Sequence, residues 1–268
     1  MASTHRIVLL TGNERRHTYV AAELAKRLRL VGVLREGKAQ LVKKPDELSA
    51  EDRAVIDQHF AERSTAEQRW LGDPQLPTGI VQREVEHGAS NAEDVFEWVQ
   101  GLEPEYVVLY GTSIIKPPLL TTYEGRMINI HLGLSPYYRG TGTNFWPLVE
   151  RKPECVGATI HLAVLSVDAG AILAQVRPEA ESTDRVHDLG TKTIMAAVAA
   201  LPRVVTRYAE GAIEPRPQDL TQGKVFRRKD FNAVAVRTLW DQFASGMMDE
   251  FVADRAARYA AYPIVELP

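Results

Sequence analysis

One cysteine, Cys155, is all the thiol this sequence holds. That excludes an internal disulfide framework and a cysteine-built zinc site, and it fits a reducing cytoplasm. No apolar run approaches the length of a spanning helix, and the opening MASTHRIVLLTG has no secretory-signal layout, so neither a membrane anchor nor export is expected. Charge of one sign is missing too: 32 Lys and Arg against 35 Asp and Glu leave −3, which argues against a general nucleic-acid binder. Glycine is sparse after the first apolar run. Gly12 sits in Thr-Gly-Asn-Glu-Arg-Arg where a dinucleotide loop needs three glycines, so NAD binding is disfavoured.

What remains is an ordinary globular composition, 45% apolar and 25% charged over 268 residues. That length suffices for one large α/β domain with a small appendage, or for two small domains. Period-two and β-branched runs predict strands over 6–10, 30–33, 80–85, 107–110, 127–131, 159–164 and 171–176. Between them lie helical patterns: 18–28, a helix after a Ser90/Glu93 capping box with Val95, Phe96, Val99 and Leu102 on its apolar face, a short helix over 117–123, and a helix capped by Thr183. The last carries Val186, Leu189, Val198 and Leu201 inward, with Pro202 expected to kink or break it. Strands alternating with helices imply an α/β fold with a doubly wound, mostly parallel sheet.

Two segments stand apart. Residues 38–75 read as a charged helical insertion of one or two helices after Pro45. Its Val55, Ile56, Phe60 and Trp70 are expected to pack on the main body, the alternative being that they close a pocket. Beyond Gly211 the composition changes, and the catalytic domain is expected over 1–211 with a mainly helical appendage over 212–268. One amphipathic helix through Val236, Leu239, Trp240, Phe243, Met247 and Phe251 should dominate that appendage, its stripe docked on the sheet domain or, alternatively, on a second subunit of a homodimer.

The chemistry concentrates between Met127 and Gly170. A strand over 127–131 puts Asn129 and His131 on one face while Ile128 and Ile130 pack on the other. An apolar strand has no packing reason to carry Asn-x-His. A loop with Gly133, Ser135-Pro136 and Gly140 to Gly142 follows, and the turn Asp168-Ala169-Gly170 after the next strand brings a carboxylate back toward the pair. His161 and His187 lack a partner at metal-ligand spacing and are assigned structural roles; no metal site is expected.

This segment resembles the formyltransferase family, whose members move a formyl group from N10-formyltetrahydrofolate to an amine. The likeness rests on the Asn-x-His strand, the turn ending in Pro136, the Arg139-Gly140 loop and the Asp-x-Gly turn after Thr159-x-His161, and it is most specific over about 107–175. It implies a Rossmann-like formyltransferase domain, catalysis by Asn129, His131 and Asp168, and N10-formyltetrahydrofolate as co-substrate. Tyr106 to Tyr110 followed by Gly-Thr-Ser-Ile-Ile-Lys-Pro matches the strand and loop that hold the pterin ring. By that match Ser113, Ile114 and Ile115, with Val164, Leu165 and Val167, line the folate pocket. Where the family commonly has Pro after the catalytic His this chain has Leu132, and Leu134-Ser135-Pro136 replaces Leu-Leu-Pro; both sit where the acceptor amine approaches.

An amine attacking a formyl amide makes a tetrahedral oxyanion, which needs a donor aimed at that oxygen and a group to take the amine's proton. The Asn129 amide and a protonated His131 donate, Asp168 favours the imidazolium, and the absence of a nucleophile implies direct transfer without an acyl-enzyme. The resemblance further implies a small-molecule acceptor such as an amino sugar, nucleotide-linked in some members, or an amino acid. Thr-Gly-Asn-Glu-Arg-Arg replaces the Gly-rich turn that grips the phosphate of glycinamide ribonucleotide, and the residues after Gly211 read as helix instead of the basic barrel of transfer-RNA members. Arg139, Thr141, Thr143 and Asn144, by position, are expected to contact the acceptor. The alternatives are a formyltetrahydrofolate hydrolase, with water in place of the amine, a methionyl-tRNA-type enzyme without the barrel, and a folate-binding protein with a relic site.

Overall fold

A computed structural model describes residues 3–37 and 48–267 of the chain. In order, the chain forms strand β1 (Ser3–Gly12), helix α1 (Arg15–Ala25), β2 (Leu28–Glu36), α2 (Ala50–Leu71), β3 (Val81–Val85), α3 (Glu93–Gly101), β4 (Tyr106–Tyr110) and α4 (Leu119–Thr122). Then come β5 (Met127–His131), β6 (Tyr138–Gly140), α5 (Trp146–Val149), β7 (Ala158–Leu162), β8 (Ile172–Val176), α6 (Val186–Ala209), β9 (Lys224–Phe226), α7 (Ala233–Ala244), α8 (Met247–Ala253) and α9 (Arg255–Ala261).

Among the described residues the main sheet runs β3-β2-β1-β4-β5-β7-β8. It is parallel from β3 to β5, and β7 runs antiparallel to both β5 and β8. Alternation along β1 divides the core. Ile7 and Leu9 face a layer containing α1 and α6, with Ile128 and Ile130 of β5 on the same side. Val8 and Leu10 face α3 and α4, with Met127. A sheet buried on both faces in this way needs continuous apolar runs, which is why β1 and β4 read as they do. The chain winds outward from β1 to β3 and then restarts at β4 on the other side of β1. That reversal opens a crevice at the carboxyl ends of β1 and β4.

Several local expectations need correction. Ser90 does not cap α3. It lies in a short 3-10 turn over 89–91, Ala92 occupies the cap position without a side-chain bond, and the Ser90 hydroxyl donates to Glu36 Oε2 at 2.6 Å. A buried carboxylate competes better for that hydroxyl than a backbone N–H does. Thr183 likewise yields to Arg185 as cap of α6, where Asp188 Oδ2 accepts from Arg185 N. Helix α6 continues through Pro202 without a break, held by Leu201, Val204 and Val205, each fully buried.

Among the described residues the inserted segment forms one helix, α2, capped by Ser49 accepting from Asp52 N at 3.1 Å; the expected 38–47 portion lies outside them. Ile56 is buried, and Trp70 Nε1 donates to Asp188 Oδ1 at 2.8 Å, tying α2 to α6.

The C-terminal stripe is split at Gly246, whose φ of 80° ends one helix and begins another. Its residues Val236, Leu239, Met247 and Phe251 bury themselves with Trp146, Leu148 and Leu189 in a third cluster. Residues after Gly211 also reach the sheet: Arg216 bridges Ile172, and β9 pairs in parallel with β6. No helix among the described residues is long and apolar enough to cross a membrane.

Candidate active site

Strand β5 delivers Asn129 and His131 to the carboxyl end of the sheet, and the turn after β7 returns Asp168 to them. His131 Nδ1 lies 3.3 Å from Asp168 Oδ2, and Asn129 Nδ2 lies 3.4 Å from Asp168 Oδ1. Both the carboxylate and the backbone of its turn are held. Gly140 N donates to its Oδ2 at 2.9 Å, and Gln218 Nε2, from beyond Gly211, donates to the carbonyls of Asp168 and Gly170 at 2.9 and 2.6 Å. Asp168 itself has φ of 48°, a left-handed conformation that Asp tolerates better than most residues and that is held here by those bonds.

Partners assign the protons. His131 Nε2 faces the Tyr138 carbonyl at 3.1 Å and Thr143 Oγ1 at 3.3 Å. The Thr143 proton is directed at the Leu132 carbonyl, so Nε2 carries hydrogen. Nδ1 and Oδ2 then share the proton that decides the charge of the pair. Burial, the largest influence on His131, pulls its pKa below the ordinary value, while Asp168 works in the opposite direction. Burial pushes Asp168 up, but His131, His161 and the Gly140 N–H outweigh it and hold the carboxyl at about 2. Burial therefore opposes the imidazolium that the neighbouring carboxylate favours.

His161, read from the sequence as structural, belongs to this cluster. Its Nδ1 lies 2.8 Å from the Leu162 carbonyl, and its Nε2 lies 3.0 Å from Asn129 Nδ2 and 3.7 Å from Asp168 Oδ1. The antiparallel register of β5 and β7 sets Asn129 opposite His161 and His131 opposite Thr159. A parallel reading of that pairing hides the contact. Gly133 is required next to the pair: a Cβ there would stand 2.6 Å from His131 Nε2 and 2.7 Å from Thr143 Cβ.

A cavity of about 810 Å³ opens over these residues, a size typical of small-molecule sites. On one side it is walled by Ser113, Ile114, Ile115, Val164, Leu165 and Val167. Ile114 and Leu165 are 53% and 59% exposed, an apolar surface that a monomer has no packing reason to leave open. On the other side Thr141, Thr143 and Asn144 line it. Arg139 does not: alternation on β6 turns it away, its Nη2 donates to the Leu220 carbonyl at 3.3 Å, and it is 9% exposed. Phe60 of α2 lines the cavity, as do His59, Arg63 and Glu67. Among the described residues no cluster of His, Cys, Asp or Glu has the makings of a metal site.

A family profile described as formyl transferase matches residues 39–205, more than half of the sequence. The chain belongs to the formyl transferase family. It is 35% identical over 122 residues to a methionyl-tRNA formyltransferase of Bacillus licheniformis, covering 45% of this chain and 38% of that protein. It is 26% identical over 176 residues to a GDP-perosamine N-formyltransferase of Brucella melitensis, 65% of each chain. It thus spans less than two thirds of these relatives' lengths. In fold it is similar to the glycinamide ribonucleotide transformylase 1 of Symbiobacterium toebii, with a TM-score of 0.54 and 21% identity, over 80% of this chain and 93% of that one.

This formyl transferase chain also builds a support that its sequence does not advertise. Glu36 ends β2, is 2% exposed, and accepts from Gly88 N, Ser90 Oγ, and the N and Oγ of Ser113 at 2.6 to 3.1 Å. Burial raises its pKa, yet those hydrogen bonds win and hold it below the usual carboxylate value. Asn91 adds bonds to Ile114 O and Lys116 N, so the 111–116 loop is pinned from both ends. A lone Glu at the end of a strand gives no sequence signal for this; only the fold brings Ser90 and Ser113 to it.

Proposed function

We propose that the chain transfers the formyl group of N10-formyltetrahydrofolate to the amine of a small molecule, such as an amino sugar or amino acid. The observation that carries this reading is the contact of one carboxylate, Asp168, with both His131 and Asn129 at the floor of a cavity with one apolar, open wall. The apolar wall suits a pterin ring, and the name of the Brucella relative specifies a sugar nucleotide as the thing formylated.

In this reading the amine nitrogen attacks the formyl carbon, a C–N bond forms, and the carbonyl π pair moves to oxygen. The Asn129 amide turns one N–H from its long 3.4 Å contact with Asp168 toward that oxygen. The proton lost by the amine enters the His131–Asp168 pair and is returned to N10 as the N10–C bond breaks, giving tetrahydrofolate and the formamide. No covalent intermediate is called for. Cys155 is fully buried, lies outside the cavity, and is pushed up to about 12 by burial, so it supplies no thiolate.

The test is His131→Ala, followed by tetrahydrofolate release with and without amines. Transfer should be abolished while folate binding, read by calorimetry, stays close to that of the parent. Equal transfer by the variant would remove the mechanism, and turnover by the parent without any amine would make it a hydrolase.

A further inference from the structure

We propose that Arg63 binds an anionic oxygen group, a phosphate or a carboxylate, on the part of the acceptor remote from its amine, so that the chain selects anionic acceptors. This rests on the reading of the cavity as an amine-formylating site.

Beside the apolar wall, residues of α1, α2 and the segment 225–231 line the cavity. Two arginines there share two carboxylates unequally. Arg16 takes the close contacts: its Nη1 donates to Glu67 Oε1 at 2.7 Å and it pairs with Glu14, leaving its side chain 11% exposed. Arg63 is left 3.8 Å from Glu67 and 4.0 Å from Glu14, and among the described residues it makes no hydrogen bond. Its guanidinium lies 4.7 Å over the Phe60 ring, which orients the fork without satisfying any of its donors. A half-buried guanidinium in this state is matched by a ligand oxyanion, which takes two of those donors at once.

Two further groups on cavity-lining residues lack partners among the described residues. These are the Tyr110 hydroxyl, on a residue 3% exposed, and His59 Nδ1, on a residue 5% exposed. Buried polar atoms are seldom left so, and a polar ligand supplies what they need. The charge agrees. Arg16, Arg63, Arg227 and Arg228 line the cavity against three carboxylates, and those already have partners: Glu67 holds Arg16, Glu36 accepts from Gly88 N and Ser90 Oγ, and Asp168 accepts from Gly140 N. Phe231 stands 5.6 Å from Phe60 and 5.3 Å from Phe145, ring to ring, so the anion would be flanked by a surface for a flat or apolar body. An acceptor with an uncharged or cationic far end would leave Arg63 unmatched.

The experiment titrates the full chain, without folate, with UDP and GDP in one arm and a panel of α-amino acids in the other. Arg63→Gln is run beside it, and Arg63→Lys and thermal unfolding keep a folding failure distinguishable. At least one arm should bind, Arg63→Gln should weaken it about 10- to 100-fold, and Arg63→Lys should fall between, since it keeps the charge and loses the fork. Binding in the diphosphate arm assigns a phosphate, and binding in the other assigns a carboxylate. Binding in neither arm, or binding that Arg63→Gln leaves unchanged, overturns the inference. His131→Ala should bind these anions like the parent, and a parent chain that binds them yet releases no tetrahydrofolate from N10-formyltetrahydrofolate with any amine would sink the proposed activity and leave the anion site standing.

Discussion

His131 sits between two acceptors of different kinds, the Tyr138 carbonyl on Nε2 and the Asp168 carboxylate on Nδ1. Burial lowers its pKa and Asp168 partly restores it, so the carboxylate sets where the imidazole titrates. The sign of the consequence is fixed. Asp168, held at about 2, is ionised at every pH where formyl transfer would be assayed, and Asp168→Asn removes the carboxylate that raises the His131 pKa. The acid limb of kcat/KM against pH should therefore lie below the ordinary histidine value in the parent and move lower still in Asp168→Asn, with activity down by about 10²- to 10⁴-fold. An acid limb that stays put in the variant would show that it reports another group. At this scale the sequence was informative where polarity broke an apolar pattern: Asn129 and His131 stand out in Met-Ile-Asn-Ile-His, and Asp168 in a turn. It gave His161 a structural role and was silent on Glu36, because the places of both at the site arise from strand register and from loops meeting in space.

Elements were legible in kind and less so in their ends. The strands announced themselves because both faces of a parallel sheet must be apolar. The caps did not, because Ser90 and Thr183 each have more than one place to send a hydroxyl and tertiary contacts decide which. The C-terminal stripe was visible as a stripe, but its break at Gly246 depends on a left-handed residue that α7 and α8 need in order to fold back on α5 and α6. That packing has a measurable cost of removal. Phe251 is fully buried at the centre of the third cluster, so Phe251→Ala should destabilise the chain by about 3–5 kcal/mol in denaturant unfolding. Because β9 and Gln218 from the same region hold β6 and the Asp168 turn, the variant should also lose activity at temperatures where the rest of the sheet persists. A loss under 1 kcal/mol would mean that the C-terminal helices contribute little to the fold.

On the scale of the whole molecule, buried neutral imidazoles tie stability to pH. His59 and His187 join α2 to α6 ring against ring, centroids 4.5 Å apart. Burial, with the charge of Arg63, holds His59 at about 4, and burial, with His59 and Arg63, holds His187 at about 3. In the unfolded chain each titrates near 6.5. Between about pH 6.5 and 4 the unfolded chain thus binds protons that the folded chain refuses, and stability rises with pH. What these residues contribute is complete above pH 6.5 and is lost as pH falls through their folded values, on the order of 3 kcal/mol for His59, which is 5% exposed. Asp168, depressed to about 2, acts in the same sense but only at lower pH, below about 3.9 where an ordinary Asp protonates. The melting temperature should accordingly fall between pH 6.5 and 4, before most carboxylates protonate, and His59→Leu should flatten that descent while keeping the ring's apolar contacts with Phe145 and Phe231. A parent whose melting temperature is level across that window, or a His59→Leu variant that descends as steeply, would show that the helix pair tolerates charge and that water reaches the imidazoles as the pH drops.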